Sequence, residues 1–332
     1  MLELREGDAR AFFEVPFRVY GATTLYVSPL EQDLKRFLDD RKNPLFTRFG
    51  SRCFFVAMRD GVPVGRIVAH VHRASNERFG WRRAYFGYFD CAPDREAAGR
   101  LLAAAESQAR AAGCDEIMGN FNLTAMQQIG VLTDGFERAP YSDQQWNPPH
   151  IPELLAQHGY ERTFPMRTFE LALADAKPET LLGPKQREAL ADPQLEWPKI
   201  ELRRFSSLIE ELRLVLNDGF DRNPMFVPLT TEEFLYQAKD MSQVMDPAIT
   251  HLVRDGSGPV GAVICIPDLN PLLRAMGSRV TLMAPWHLLR FRARRDRAVL
   301  IFISVVQRWQ NRGLAGAILH RLLASLRARG YR

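Results

Sequence analysis

The chain has 332 residues, of which 46% are hydrophobic and 25% are charged, and these proportions exclude a disordered or low-complexity protein. The length suffices for two domains of common size, each with its own core. The net charge of +5 is modest, and without a recognised motif or an aromatic stacking platform it does not indicate nucleic-acid binding.

The termini and the cysteines indicate the compartment. Residues 1–8 are charged and lack the apolar region of a secretory signal, and no apolar run approaches the length of a membrane span. The four cysteines have none of the paired spacing of a zinc site, so we interpret them as reduced thiols. We therefore expect a cytoplasmic protein that binds no metal ion.

The first part of the chain, residues 1–172, predicts a complete set of α/β elements. Apolar periodicity and turn chemistry indicate, in order, a strand at 2–4, helices from Asp8 through Phe17 and at 30–37, a hairpin closed at Asp60-Gly61, a strand at 84–89, a helix at 95–112, a strand at 116–119, a helix at 152–158 and a strand at 166–171.

A polar, proline-rich stretch at 173–199 predicts a linker to a second domain at 200–332. Within that domain we predict a strand at 200–202, helices at 206–217 and from Thr230 or Thr231 to Ala238, a hairpin at Asp255-Gly256, a strand at 299–306 and a final helix after Gly313.

The two domains repeat each other. The sequence Arg-Asp-Gly closes both predicted hairpins. Gly99 and Gly113 of the first domain correspond to Gly316 and Gly330 of the second, each 217 residues farther along the chain. Because the same elements occur twice in one order, two homologous halves are the simplest explanation.

The strongest functional signal is the segment at 305–316, which joins the last predicted strand to the last helix. N–H groups at the start of a helix form a cradle for an anion. Gly313 and Ala315 let a phosphate approach the main chain closely, and Arg308 and Arg312 add positive charge. The segment therefore predicts a diphosphate site.

The corresponding segment of the first half predicts the opposite. At the offset of 217 residues, Glu96 stands in the place of Gly313, and Pro93-Asp94 in the place of Gln310-Asn311. A proline removes a donor and two carboxylates repel a diphosphate. The first half should not bind one.

An insertion distinguishes the second half. About thirty residues connect the hairpin strand ending near Ile266 to the strand at Val299, whereas the same connection in the first half has about ten. Apolar residues beside an arginine cluster at 290–297 suit an interfacial membrane segment or a channel for an apolar substrate. A helical pair packed over the sheet, with solvated arginines, explains the pattern equally well.

The spacing Gln310-x-x-Gly313-x-Ala315 resembles the Q/R-x-x-G-x-G/A loop of the GNAT superfamily. The run 267–272, the insertion and Asn147-Pro148-Pro149 are similar to bacterial tandem GNAT proteins, whose best-understood branch is the bacterial ceramide synthases. The resemblance implies an α/β (α+β, mixed-sheet) fold of two tandem GNAT-like domains, the first degenerate. Since a GNAT unit continues after the loop helix and this sequence stops at Arg332, we expect the second to be incomplete at its C-terminus.

The resemblance also implies a cofactor site. The loop would hold the pyrophosphate of acyl-coenzyme A, and a backbone N–H of the preceding strand would polarise the thioester carbonyl. The predicted cofactor-binding residues are Val305, Val306, Gln310, Asn311, Arg312, Gly313, Leu314 and Ala315.

Other site residues are less specific. Asp268 and His251 are the candidate general bases, although a turn or cap role for Asp268 and a strand-edge role for His251 are favoured at such places. Candidate substrate-binding residues gather polar or aromatic groups in loops and in the insertion: Asn120, Asn122, Asn147, His150, Asn270 and Trp286.

The function implied is transfer of an acyl group from acyl-coenzyme A to an amine, with a sphingoid base as a candidate acceptor. The alternatives are an acetyltransferase acting on a soluble amine or peptide, and a non-catalytic acyl-coenzyme A binding protein. We expect acyl-coenzyme A and an amine, including a lipid amine, as partners, and peripheral contact with the inner membrane face through residues 283–297.

Overall fold

A computed structural model describes most of the chain, namely residues 1–22, 24–124, 126–223, 226–239 and 241–332, with only the backbone at 48 and 49. The structure divides into two compact units. The first unit comprises Met1–Arg167 together with Asn270–His287, and the second comprises Thr168–Leu269 with Leu288–Arg332. The segment Asn270–His287, here called the insertion segment, therefore packs with the first half although it lies in the second half of the sequence.

Residues 1–167 form five strands and six helices among the described residues. They are β1 (Leu2–Glu6), α1 (Ala9–Val19), α2 (Glu31–Phe37), α3 (Pro44–Phe49), β2 (Gly50–Arg59), β3 (Val62–His72), α4 (Arg73–Phe79), β4 (Arg83–Cys91), α5 (Arg95–Ala111), β5 (Glu116–Met118) and α6 (His150–Gln157). The sheet has the order β1-β2-β3-β4-β5, with β4 and β5 parallel and the other pairs antiparallel.

The rest of the described chain forms fewer strands. Its elements are α7 (Pro184–Ala191), α8 (Phe205–Gly219), α9 (Thr231–Ala238), α10 (Met241–Val244), β6 (His251–Asp255), β7 (Gly258–Pro267), α11 (Asn270–Ala275), α12 (Ala284–Arg294), β8 (Ala298–Val305) and α13 (Leu314–Ala328). The sheet β6-β7-β8 is antiparallel throughout.

Local sequence explains the first hairpin. Asp60 and Gly61 have φ angles of 49° and 80°, and a two-residue turn with both angles positive suits Asp-Gly and matches the twist of the strands. Helix α5 then buries alanine and leucine side chains against the sheet, including Leu101 and Leu102. The predicted hairpin and helix are confirmed.

The repeat is visible in a close contact of strand and helix. A Cβ atom on Gly65 of β3 would lie 2.7 Å from Leu101 of α5, and a Cβ atom on Gly261 of β7 would lie 2.8 Å from Ile318 of α13. In both units the strand glycine therefore lets the helix pack closely against the sheet, because it has no side chain. Leu101 and Ile318 are again 217 positions apart.

Two predicted strands are wrong. Residues 166–171 form no strand, and Phe169 is 86% exposed; alternating apolar residues predict a strand only where a neighbouring strand covers them. Residues 200–202 are not a strand either, because Leu202–Arg204 is a 3-10 turn. Instead, Glu196 pairs with Arg254 of β6 through hydrogen bonds of 2.9 and 3.0 Å.

Residues 173–199 are ordered against α13. They contain a 3-10 turn at Pro178–Leu181 and helix α7, and the His320 ring of α13 lies 3.0 Å from the carbonyl oxygen of Pro178. None of the helices in the described part of the chain is both long and apolar enough to cross a membrane.

Candidate functional site

The turn between β8 and α13 exposes the start of a helix. After a 3-10 turn at Gln307–Trp309, Asn311 and Gly313 adopt φ angles of 64° and 85°, and α13 begins at Leu314. Gly313 is the N-cap residue and provides no side-chain hydrogen bond, and Ala315 in the first turn is exposed. The first N–H groups of α13 have no partner within the helix, so this end can receive an anion.

The equivalent helix start in the first unit is already capped by a carboxylate. Asp94 is the N-cap of α5 and accepts a hydrogen bond of 3.0 Å from the Ala97 N–H. Arg59 donates to Asp94 at 2.8 Å and to Glu96 at 2.9 Å. Acidic side chains of the protein thus occupy the place that a diphosphate would need, and the two helix starts differ as the sequence predicted.

The arginines of the loop have different roles. The Arg308 guanidinium donates to Asp255 at 3.2 Å and to Ser257 at 2.6 Å, so its charge is directed to the β6–β7 turn and not to the helix start. Although partial burial favours the neutral acid, hydrogen bonds from Ser257, Trp309 and Arg308 hold the pKa of Asp255 well below its usual range. Arg312 is exposed and lies over the Trp309 ring at 5.1 Å. Of the two loop arginines, Arg312 is therefore the one that has no contact with the Asp255 carboxylate among the hydrogen bonds of the described residues.

Helix α7 borders the loop closely. A Cβ atom on Gly313 would lie 2.5 Å from the Lys185 carbonyl carbon, and one on Gly316 would lie 2.8 Å from the Gln186 side chain. The Lys185 ammonium donates to the Asn311 carbonyl oxygen at 3.1 Å. These glycines consequently serve helix packing as well as any approach of a phosphate, and Lys185 brings a second positive charge to the loop.

We expect Gly313→Ala to destabilise the fold by about 2 kcal/mol, because it combines a positive φ with a contact to rigid backbone. The matched control is Gly159→Ala, since Gly159 has a similar φ of 81° but nothing within 4 Å of its Cβ position; it should cost about 1 kcal/mol. Urea unfolding measures both. Equal losses would show that α7 does not pack against Gly313.

The end of β8 presents one outward N–H group. Val306 donates its N–H to the Val260 carbonyl at 3.0 Å, so that group belongs to the β7–β8 ladder. Because successive residues of an antiparallel strand point to alternate sides, the Val305 N–H projects away from β7, and within the described residues β8 pairs with β7 alone. The Gln310 side chain donates to the Val305 carbonyl at 3.0 Å and closes the loop.

Three predicted substrate-binding residues form hydrogen bonds at the corresponding strand end of the first unit. The Asn122 amide oxygen accepts the Tyr88 N–H at 2.6 Å, and the Asn120 oxygen accepts the Phe89 N–H at 3.3 Å. The His150 ring lies 2.8 Å from the carbonyl oxygen of the nearby Cys91. Tyr88 is the counterpart of Val305 at the offset of 217, so an amide oxygen already occupies the donor that this end of β4 presents.

The other three predicted substrate residues lie apart from that strand end. Asn147 forms hydrogen bonds of 2.8 and 3.1 Å with the backbone of Leu132 and is buried. Asn270 donates to the Pro140 carbonyl at 2.8 Å. Trp286 is half exposed on α12. Both asparagines therefore hold loop backbone through their side chains.

The two candidate bases are not brought to Val305. Asp268 follows the end of β7 that pairs with Ala298, whereas Val305 pairs with Gly261, so about seven strand residues, or ~23 Å, separate them. Asp268 is buried, and its carboxylate lies 3.9 Å from Arg297. Such a position fits a structural carboxylate at the start of β8.

His251 lies against α13. Its ring contacts the Ser325 hydroxyl at 3.2 Å, and burial, together with the nearby charge of Arg321, lowers the pKa of His251 to about 4. The ring is therefore neutral at physiological pH, but Ser325 is eleven residues, or about 17 Å, along α13 from Leu314. The strand-edge role is the one that these contacts support.

Sequence reasoning missed a groove beside the loop. It has a volume of about 570 Å³, and its lining includes Asp218, Asp221, Val306 and Gln307. Asp218 accepts the Gln307 N–H at 2.5 Å, and a Cβ atom on Gly219 would lie 2.8 Å from the Val305 carbonyl oxygen. The end of α8 thus lies directly against the end of β8.

A signal for this groove exists in the sequence Asn-Asp-Gly at 217–219, where a small residue ends a helix beside a carboxylate, but the pattern is common at helix ends and indicates no ligand. Across the described residues, His, Cys, Asp and Glu side chains form no cluster of three or more that could hold a metal ion.

Comparison with known proteins extends these observations. The chain is 25% identical over 267 residues to Protein YghO of Escherichia coli (strain K12), covering 80% of this chain and 67% of that protein. It is 24% identical over 264 residues to the bacterial ceramide synthase of Caulobacter vibrioides (strain NA1000 / CB15N), covering 79% and 68%. No family model matches the chain.

Among solved structures, a tandem GNAT protein from the clavulanic acid biosynthesis pathway matches with a TM-score of 0.51 and 12% identity. The match covers 100% of this chain and 88% of that one. It confirms the predicted fold of two tandem GNAT-like domains, and the ceramide synthase match confirms the resemblance drawn from the sequence.

Proposed function

We propose that this chain, which has the fold of a tandem GNAT protein, is an N-acyltransferase that uses acyl-coenzyme A at its second unit. The observation that carries the proposal is the contrast between two equivalent helix starts. The start of α5 is capped by Asp94, whereas the start of α13 has no side-chain cap and has Arg312 and Lys185 beside it. A diphosphate fits the second and is repelled by the first.

The loop residues would hold the diphosphate of acyl-coenzyme A, which supplies an activated thioester. The N–H groups of Leu314 and Ala315 would donate to phosphate oxygens, and Arg312 would add charge. Gln310 would keep the loop in place through its hydrogen bond to the Val305 carbonyl. Asn311 and Gly313, with their positive φ angles, give the backbone its turn toward the helix.

The Val305 N–H would donate to the thioester carbonyl oxygen as negative charge develops there. The first unit supports this role, because the Asn122 amide oxygen occupies the equivalent Tyr88 N–H at 2.6 Å. The fold can therefore accommodate a carbonyl oxygen, such as that of a thioester, beside this N–H group. Val306, which donates to Val260, would contribute by holding β8 in register.

The amine acceptor would enter through the groove beside β8. Asp218 and Asp221 line it and would attract an ammonium group, which would lose a proton to water. The neutral nitrogen would then attack the carbonyl carbon, the carbon–sulfur bond would break, and coenzyme A would leave as a thiolate that takes up a proton. Holding amine and thioester in contact would account for most of the rate. The similarity to a protein named bacterial ceramide synthase supports a long-chain amine such as a sphingoid base, and residues 283–297 would then meet the membrane that holds it.

One structural observation favours a second candidate, a non-catalytic acyl-coenzyme A binding protein. Asp268 and His251 both lie away from Val305, by about seven strand residues in the case of Asp268. Acylation of a soluble amine or peptide is the other alternative, since the groove is polar at its acidic end.

Thiol release from acyl-coenzyme A, measured with and without amine, separates the three functions. We expect sphinganine to stimulate release, and the rate to rise from acetyl- to palmitoyl-coenzyme A. Preference for acetyl-coenzyme A with a short soluble amine would support the soluble acceptor. Binding of acyl-coenzyme A by calorimetry, with no amine able to stimulate release, would contradict the catalytic function.

A further inference from the structure

The insertion segment is fixed firmly to the first unit at its centre. The buried Ser278 hydroxyl donates to the Ser28 carbonyl at 2.7 Å, and the Ser278 carbonyl accepts the Glu31 N–H at 2.9 Å. Arg279 pairs with Glu14 and, at 3.0 Å, with Glu31, while its guanidinium lies 4.8 Å from the centre of the Phe13 ring. Ser278 and Arg279 therefore anchor the residues that follow them to the first unit.

Directly after Ser278 and Arg279, large apolar side chains face solvent. Leu282 is 100% exposed, and the other members of this apolar ridge are about half exposed or more: Val280, Met283, Trp286 and Leu289. Met283, Trp286 and Leu289 are spaced by three residues, so they share one side of α12 and its approach. Soluble proteins seldom expose so many apolar side chains together unless a partner covers them.

The sequence segment that carries the ridge has charged side chains of one sign only. From residue 269 to residue 295 the sequence contains six arginines and neither aspartate nor glutamate. Arg290 and Arg294 are exposed and follow Trp286 by four and eight residues, so they continue the same side of α12. Arg295 pairs with Asp246 at 2.7 Å. The ridge therefore ends in a positively charged rim.

We propose that the apolar ridge and its arginine rim bind the surface of an anionic lipid bilayer. Apolar side chains would enter the boundary between headgroups and acyl chains, and Arg290 and Arg294 would meet anionic headgroups. A second copy of the chain suits this surface less well, because residues 269–295 of that copy contain no aspartate or glutamate to meet the arginine rim. The proposal does not depend on the acyl-transfer reaction.

Flotation of the full-length protein with vesicles tests this proposal. Vesicles of phosphatidylglycerol and phosphatidylcholine should bind the protein, vesicles of phosphatidylcholine alone should bind it weakly, and salt should reduce the difference. The double variant Arg290→Gln/Arg294→Gln should lower the partition coefficient on anionic vesicles about 30-fold, on the basis of about 1 kcal/mol for each arginine near the surface.

A second variant and two controls separate the apolar contribution from general surface effects. Leu282→Ser should lower the partition coefficient about tenfold, because a whole leucine side chain no longer enters the boundary. Phe169→Ser removes another highly exposed apolar side chain, from outside the ridge, and Arg162→Gln/Arg167→Gln removes two exposed arginines that belong neither to the ridge nor to its rim. Both controls should bind as the unaltered protein does.

Three outcomes would overturn the proposal. The first is no binding to anionic vesicles, and the second is equal losses in the test variants and the controls. The third is a dimer in analytical ultracentrifugation that the Leu282→Ser substitution dissociates, because the ridge would then be a dimer interface. Since flotation needs no acyl-coenzyme A, failure of the proposed enzyme activity would leave this result unchanged.

Discussion

Ala315→Glu is expected to weaken acyl-coenzyme A binding about 100-fold, with little change in stability. Ala315 is exposed in the first turn of α13, so a glutamate fits there without a clash. Its carboxylate would stand among the N–H groups that are proposed to hold the diphosphate and would repel its negative charges by about 3 kcal/mol. Calorimetric titration with acyl-coenzyme A measures the loss.

The matched control is Ala324→Glu, which places the same side chain at an exposed position of the same helix, nine residues farther on. It should bind acyl-coenzyme A as the unaltered protein does. Equal affinity of the Ala315→Glu and Ala324→Glu variants for acyl-coenzyme A would show that the loop does not bind the cofactor. This substitution is a sharper test than Gly313→Glu, since a side chain at Gly313 also meets the backbone of Lys185.

Asp90→Ala is expected to lower the stability of the first unit by about 4 kcal/mol. Arg66 and Asp90 form a buried ion pair at 2.6 Å, and the Tyr20 hydroxyl donates to Asp90 at 2.6 Å. Burial opposes the charge of Arg66, but Tyr26 and Asp90 outweigh it and raise the pKa of Arg66 above its ordinary value. Removing one partner leaves a buried charge without compensation. Urea unfolding followed by circular dichroism measures the change.

Two further variants show whether the loss comes from the buried charge. Arg66→Met/Asp90→Leu should recover most of the stability, because a buried pair replaced by apolar groups of similar size costs little. Glu116→Ala removes the partner of Arg83 in a pair whose acid is half exposed, at 2.8 Å, and should cost about 1 kcal/mol or less. A small effect of Asp90→Ala, similar to that of Glu116→Ala, would contradict this account.

Features encoded in short stretches were predictable from the sequence. The Asp-Gly hairpin, the amphipathic helix α5 and the loop before α13 each depend on neighbouring residues, and the structure contains all three. The strand predicted at 166–171 failed for a related reason, since a strand also needs a partner strand, which local sequence does not specify.

Residue spacing and glycine positions along the sequence were enough to indicate two similar halves, and they predicted a loop suited to a diphosphate in one of them. Three other features became visible only in the folded chain: α7 packs on Gly313, the Asn122 oxygen accepts the Tyr88 N–H, and Ser278 fixes the insertion segment to the first unit. Each of these is a contact between residues distant along the chain, and their sequence spacing carries no trace of it.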